Sequence, residues 1–213
     1  MMRYDRRTIG LAVGLTCLAG YVDALGFISL GGFFVSFMTG NTTRLGIELA
    51  NGHLGGIALA GGIIMLFVGG VVLGSLVGHF ARAKRHAAVL AALTACLFIA
   101  ALSDRLGEAD ISIAMLAIAM GMENSVFQRD GEVTIGLTYM TGTLVKMGQR
   151  IAGALLGGSR LAWLRHFTLW LGLLSGAVAG ALAHNMIGLD AIWLAAAFSA
   201  LLALAASRLL LTD

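Results

Sequence analysis

Six long apolar stretches alternate with short polar joints along this chain: roughly Thr8–Leu30, Gly52–His79, Ala87–Ser103, Ile111–Phe127, Phe167–Ala183 and Ala191–Ser207. About 17–25 residues of helix are needed to cross about 30 Å of hydrocarbon, so the pattern predicts six transmembrane helices, several at the short end of that range. His53 to His79 contains no Asp, Glu, Lys or Arg, and His53 to Phe80 is long enough to cross at a tilt.

Two segments fit no simple span, Gly31–Ala50 and Gly131–Ala152. Each opens on β-branched and aromatic residues (Phe33-Phe34-Val35-Ser36-Phe37; Val133-Thr134-Ile135-Gly136-Leu137-Thr138-Tyr139), passes through Thr-Gly, and continues as a helix-like run. Thr39, Asn41, Thr141 and Thr143 are residue types that cap helix N-termini. The expectation is an extended stretch, a turn, then a half-helix that begins at membrane depth. Irregular backbone persists there only when protein buries it or when it lines a cavity.

The two segments are copies. Phe37-Met38-Thr39-Gly40 returns 102 positions later as Tyr139-Met140-Thr141-Gly142, and Gly46 returns as Gly148. The triplet Gly70, Gly74, Gly78 returns as Gly172, Gly176, Gly180 without a gap, and Arg44 falls on Lys146. A duplication inside a strongly apolar chain predicts a two-fold transport architecture. Repeat 1 covers about 8–103 and repeat 2 about 109–210, within one membrane domain over 1–213.

Composition agrees. Apolar residues make up 59% of the chain and charged residues 12%. Soluble domains carry about 25% charged residues. Mean hydropathy is +0.92. The expected fold class is therefore an all-α membrane protein in the lipid bilayer. Thirty glycines accompany no proline. Glycine lets membrane helices approach closely, and any helix break must come from glycine, polar side chains or re-entrant geometry. Cys17 and Cys96 lie inside apolar stretches and read as buried thiols, neither a disulfide framework nor a zinc site. The opening MMRYDRRTIG resembles the start of a signal peptide. The apolar stretch after it runs past any cleavage site and contains Asp23, so it reads as a retained first span.

The net charge of +3 bears on orientation, not on nucleic acid, and no nucleic-acid partner is expected. With a cytoplasmic N-terminus and both irregular segments re-entrant, the inner side carries Arg3, Arg6, Arg7, Arg82, Lys84, Arg85, Arg129, Arg150, Arg160, Arg165 and Arg208. The outer side carries only Arg105. Both termini are then cytoplasmic. Each repeat holds an odd number of spans, three, so the second enters the membrane from the opposite side. An inverted-topology pair is expected. Full crossings by the irregular segments would instead make the repeats parallel and put Arg82, Lys84 and Arg85 outside.

A half-helix starting near the midplane points unsatisfied N–H groups and a partial positive charge at one spot. Two inverted copies point their tips toward each other. Thr39, Gly40, Asn41, Thr42, Thr141, Gly142 and Thr143 are the candidate binding residues for an anionic or polar small solute. The alternative is that they only cap backbone and fill the pseudo-two-fold axis. Arg44 and Lys146, a turn into the half-helices, either neutralise substrate or pair with Asp23 and Glu123. Asp23 in the first repeat answers to Glu123 and Asn124 in the second, with a slip of one or two residues; these are candidate coupling or ion-pair groups. Tyr21 and Gln128 either line a cavity or cap a carbonyl.

The triplets Gly70, Gly74, Gly78 and Gly172, Gly176, Gly180 read as helix-packing faces. They meet each other inside the bundle or pair between protomers as a homodimer. None of the five histidines has ligand spacing with a second His or Cys, so neither metal nor other cofactor is expected. No P-loop, dinucleotide fingerprint or nucleophile elbow is present, and enzyme activity is not expected. The leading reading is a small secondary transporter or channel. The competing reading is a non-transporting homo-oligomeric scaffold held by its glycine faces.

Ala19-Gly20-Tyr21-Val22-Asp23-Ala24-Leu25-Gly26-Phe27 followed by Phe34 to Gly46 resembles the YoaK family, bacterial integral membrane proteins built on a domain of unknown function. Tyr139 to Gly148 resembles the same family, and the likeness covers nearly the whole chain. It implies an inner-membrane location and supplies no substrate. The extended stretch plus half-helix is also similar in architecture to the core of nucleobase and sulfate transporters, which are much longer chains.

Overall fold

A computed structural model describes residues 6–129, 132–133 and 135–209. Arg3, Gly131 and Thr134, used above, lie outside them. The helices are α1 (Arg6–Ser29), α2 (Met38–Asn51), α3 (Leu54–Ala81), α4 (Arg85–Arg105), α5 (Ala109–Glu123), α6 (Met140–Leu155), α7 (Leu164–Ile187) and α8 (Ile192–Leu209). Short 3-10 turns, Arg82–Lys84 and Gly188–Ala191, join α3 to α4 and α7 to α8. Strands β1 (Gln128–Arg129) and β2 (Glu132–Val133) pair antiparallel after α5.

Four stretches are long and apolar enough to cross a bilayer: Arg7–Ser29, Leu54–Ala81, Arg85–Arg105 and Leu164–Arg208. The last, of 45 residues, contains α7, its turn and α8. The expected span Ile111–Phe127 is corrected. Helix α5 ends at Glu123 after 15 residues, and residues 124–127 continue as buried turns. Polar side chains at Asn124 and Ser125 bond nearby carbonyls there and take over from the helical ladder.

Glycine decides which helices touch. Gly172, Gly176 and Gly180 of α7 lie on Val13, Cys17 and Tyr21 of α1, so these two helices run in the same direction. A Cβ on Gly176 would overlap the carbonyl oxygen of Cys17, and one on Gly20 would overlap that of Leu173. Gly70 and Gly74 of α3 lie on Ile118 and Met122 of α5, and Gly121 of α5 lies on Phe67 of α3, again a same-direction pair. The two triplets therefore do not meet each other. Each seats the first helix of the other repeat, and all six glycines are buried within the chain. Gly78 ends its row differently, leaving room for Arg85. That guanidinium donates to Gln128 Oε1 and the Ser125 carbonyl, tying the start of α4 to the end of α5.

Helices α4 and α8 cross in opposite directions. Thr94 meets Ser199 at 2.7 Å, the rings of Phe98 and Trp193 lie 5.0 Å apart, and Arg105 Nε is 2.9 Å from Asp190 Oδ1 in the turn before α8. Gly14 against Leu202 and the Tyr21 hydroxyl donating to the Ala191 carbonyl set α1 antiparallel to α8. Tyr21 is thus a carbonyl cap. Leu15, Leu18, Leu25, Leu90, Leu93, Leu97 and Met120 fill the centre, all fully buried. Cys17 and Cys96 are free thiols, half-buried rather than fully enclosed.

Candidate functional site

The chain reverses after α1 at Gly31 and Gly32, whose φ angles of 63° and 95° suit glycine. It then returns through Phe33 to Phe37 alongside the end of α1, without forming a strand and bending at Val35 and Ser36. Asp23 fixes this return: its Oδ1 accepts from the Val35 N–H at 2.8 Å and the Ser36 N–H at 2.9 Å. Asn41 fixes it a second time from α2. Its Oδ1 accepts from the Phe34 N–H at 2.9 Å and its Nδ2 donates to the Phe34 carbonyl at 2.6 Å. Both polar atoms of one backbone residue are thereby satisfied away from water.

The second copy shows a different set of bonds among the described residues. Thr138, which answers to Ser36, donates its hydroxyl to Asn124 Oδ1 at 3.0 Å, and Asn124 Nδ2 donates to the Met120 carbonyl at 3.1 Å. Thr143, which answers to Asn41, donates only to the Tyr139 carbonyl in its own helix, at 3.4 Å. Position Asn124 therefore matches Asp23, in step with the pair Gly20 and Gly121. Glu123 stands where the first repeat has Val22.

The two helix starts share one cavity of about 290 Å³. Ser36, Met38 and Thr39 line it from the first copy, Thr138, Thr141 and Gly142 from the second, with Phe37 and Tyr139 exposed at its walls. Phe67 completes the lining, and it lies midway along α3. The cavity accommodates about ten waters at about 30 Å³ each, room for a small solute only.

The family described as "Protein of unknown function (DUF1275)" matches residues 11–205. The chain belongs to that family. It is similar to the UPF0700 transmembrane protein RA0705 of Rhizobium meliloti (strain 1021), with 34% identity over 211 residues, 98% of this chain and 91% of the relative. It is also similar to the UPF0700 transmembrane protein YoaK of Bacillus subtilis (strain 168), with 30% identity over 151 residues and 67% of each chain covered. No solved structure matches. With transmembrane relatives and long apolar helices, this DUF1275 chain is a multi-pass membrane protein.

Of the residues singled out in the DUF1275 sequence, Thr39, Thr141 and Gly142 reach the cavity wall. Gly40 does not; the rings of Phe34 and Phe37 crowd it. The expected N-caps are corrected. The capping positions are Phe37 and Tyr139, neither supplying a side-chain cap, because both helices begin at methionine one residue ahead of the threonines. Thr42 and Thr43 bond back to the carbonyls of Met38 and Thr39.

Arg44 and Lys146 lie off the cavity wall. The Arg44 guanidinium packs on Phe33, 4.8 Å from the ring centroid, in space left by Gly32. It forms no ion pair with Asp23, whose Oδ1 is occupied by backbone amides. Lys146 is exposed, and the pairing with Glu123 is likewise not formed: both Glu123 oxygens are buried without a hydrogen-bond partner. Sequence reasoning missed Ser36, Thr138 and Phe67. The first two carried a signal, being polar residues matched across the repeat. Phe67 carried none.

Proposed function

We propose that this DUF1275 chain is a small secondary transporter or channel of the bacterial inner membrane, taking an acceptor-rich polar or anionic solute between the starts of α2 and α6. The observation that carries this reading is the cavity whose wall includes both helix starts. Amides at a helix start lack intrahelical acceptors, and their partial positive charge favours solute acceptors.

In this reading α1, α3, α4, α5, α7 and α8 cross the membrane and the two repeats are inverted, with α2 and α6 re-entrant. Helix directions support it. Same-direction pairing of α1 with α7 and of α3 with α5, joined to antiparallel α4 and α8, is what opposite directions of the two repeats' long helices require. Charge supports it as well. Arg82, Lys84, Arg85, Arg160, Arg165 and Arg208 gather at one end of the bundle, and Asp104, Glu108, Asp110 and Asp190 with Arg105 at the other, which favours a cytoplasmic basic end. The chain is not an enzyme in this reading.

The scaffold alternative loses its proposed means of association, since the six triplet glycines are covered from within the chain. Uptake by proteoliposomes from a panel of small polar and anionic solutes tests transport. Thr141→Trp, which fills the cavity, is expected to abolish uptake of any solute carried by the wild type. Undiminished uptake by that variant, correctly inserted, would remove the cavity from the pathway.

A further inference from the structure

Glu123 is fully buried, and neither carboxyl oxygen has a hydrogen-bond partner among the described residues. Its counterpart in the first repeat, Val22, is equally buried. One copy of the fold thus fills this position with a plain apolar side chain, so the acid is not required to pack the helix. An ionised carboxylate left unpaired in apolar surroundings is expensive. A residue kept there at such cost calls for something that neutralises it.

The surroundings restrict what that is. No basic residue pairs with Glu123; the described ion pairs are His53–Glu48 and Arg105–Asp190. No described cluster of three or more His, Cys, Asp or Glu is able to hold a metal ion. The lining of the 290 Å³ cavity does not include Glu123, so a hydrated cation held there would not touch it. A proton needs no such room. Helix α1 carries Asp23 and Tyr21. Helix α4 brings Cys96 at mid-length. At the same end of α5 as Glu123, Arg85 is engaged by the Ser125 carbonyl and Gln128 Oε1 and His86 faces the Phe127 ring, while His79 lies near the end of α3 and Asp104, Arg105 and Asp110 at the far ends of α4 and α5.

We propose that Glu123 is a proton-binding site that exchanges with the solute cavity. Thr138 links the two places: it lines the cavity wall, and its hydroxyl donates to Oδ1 of Asn124, the residue that follows Glu123. In the loading step an O–H bond of hydronium breaks and an O–H bond forms at Glu123. Release reverses these bonds and returns the proton to water, with no change of oxidation state. This deepens the transport reading, on which it rests for coupling to a solute: one proton accompanies the acceptor-rich molecule. The proton site itself is measurable without any solute.

The test is infrared difference spectroscopy on the purified full chain in lipid, wild type against Glu123→Gln and Glu123→Val. The valine variant copies the first repeat and keeps the helix packed. The expected result is the carbonyl stretch of one neutral carboxylic acid per chain, lost completely in both variants and shifted when water is replaced by deuterium oxide. Absence of that band, or a band that ignores deuterium oxide, overturns the proposal: the group is then charged, or its proton is sealed from water. If Thr141→Trp leaves uptake intact while the band is present and exchanges, the solute cavity is wrong and the proton site stands. The converse pair of results separates them the other way.

Discussion

Asp23 and Asn124 hold matching places in the two halves of the fold, and only Asp23 is an acid. Asp23 grips two backbone amides of the first returning stretch, at 2.8 and 2.9 Å. Asn124 receives a single side-chain hydroxyl, at 3.0 Å. Among the described residues the first stretch therefore has two backbone amides anchored where the second has one side-chain bond. Asp23→Ala leaves the Val35 and Ser36 amides unpaired, a loss of about 1–3 kcal/mol for each orphaned buried group. Asp23→Asn keeps an acceptor and loses less. Hydrogen exchange at Val35 and Ser36 in the wild type and both variants checks the order; equal protection in all three contradicts it.

Asn41 makes an independent prediction. Leucine at this position has similar bulk but leaves the Phe34 N–H and carbonyl without partners. The expected destabilisation is about 2 kcal/mol or more, read as a lower thermal midpoint in detergent. Thr143→Leu, at the matching position of α6, removes only a long bond within its own helix and is expected to cost well under half as much. Similar losses at the two positions would show that the clamp is not what holds the first stretch.

Glycine substitutions divide sharply by place. Gly176→Ala drives a methyl group into the Cys17 carbonyl, which is backbone and cannot swing aside. Helices α1 and α7 must separate, at about 1–3 kcal/mol or more. Gly142→Ala and Gly148→Ala meet nothing within 4 Å. In a helix interior alanine is favoured over glycine by about 1 kcal/mol, so Gly148→Ala is expected to leave the thermal midpoint level or raise it. A fall at Gly148 as large as at Gly176 would mean a partner chain covers α6.

The inverted arrangement has its own measurement. In a background with Cys17 and Cys96 replaced, a cysteine at Lys84 and one at Glu108 are expected to react with a membrane-impermeant thiol reagent from opposite sides. Lys84 reacts only when the cytoplasmic face is exposed. Cysteines at Ala83 and Ser159, near the basic end in both halves, are expected to share the Lys84 pattern. Reaction of positions 84 and 159 from different sides would make the repeats parallel.

Much of this was legible in the residues, and the limits are physical. The glycine rows announced close helix contact, but a small side chain states only that something approaches, not what. The partner was readable from Gly20 and Gly121, which sit opposite the rows, had the two been aligned with one another. The same pair sets the step that matches Asp23 to Asn124; a step of one residue turns an acid into a valine. Asn41 carries a side chain suited equally to capping its own helix or reaching back, and sequence cannot choose between two bonds of similar strength. Pairing with Asp23 was one of two readings for Arg44, but that Oδ1 is taken by amides, and the guanidinium lies on the aromatic face of Phe33.

The crossing over of partners, with α1 seated on α7 and α5 on α3, has a consequence for how the molecule is made. The earliest helix to leave the ribosome must wait in the lipid until almost the entire polypeptide has followed before its bare stripe is covered. Neither half can close on itself. In the inverted reading, a half-length chain would be complete only as two copies inserted in opposite senses.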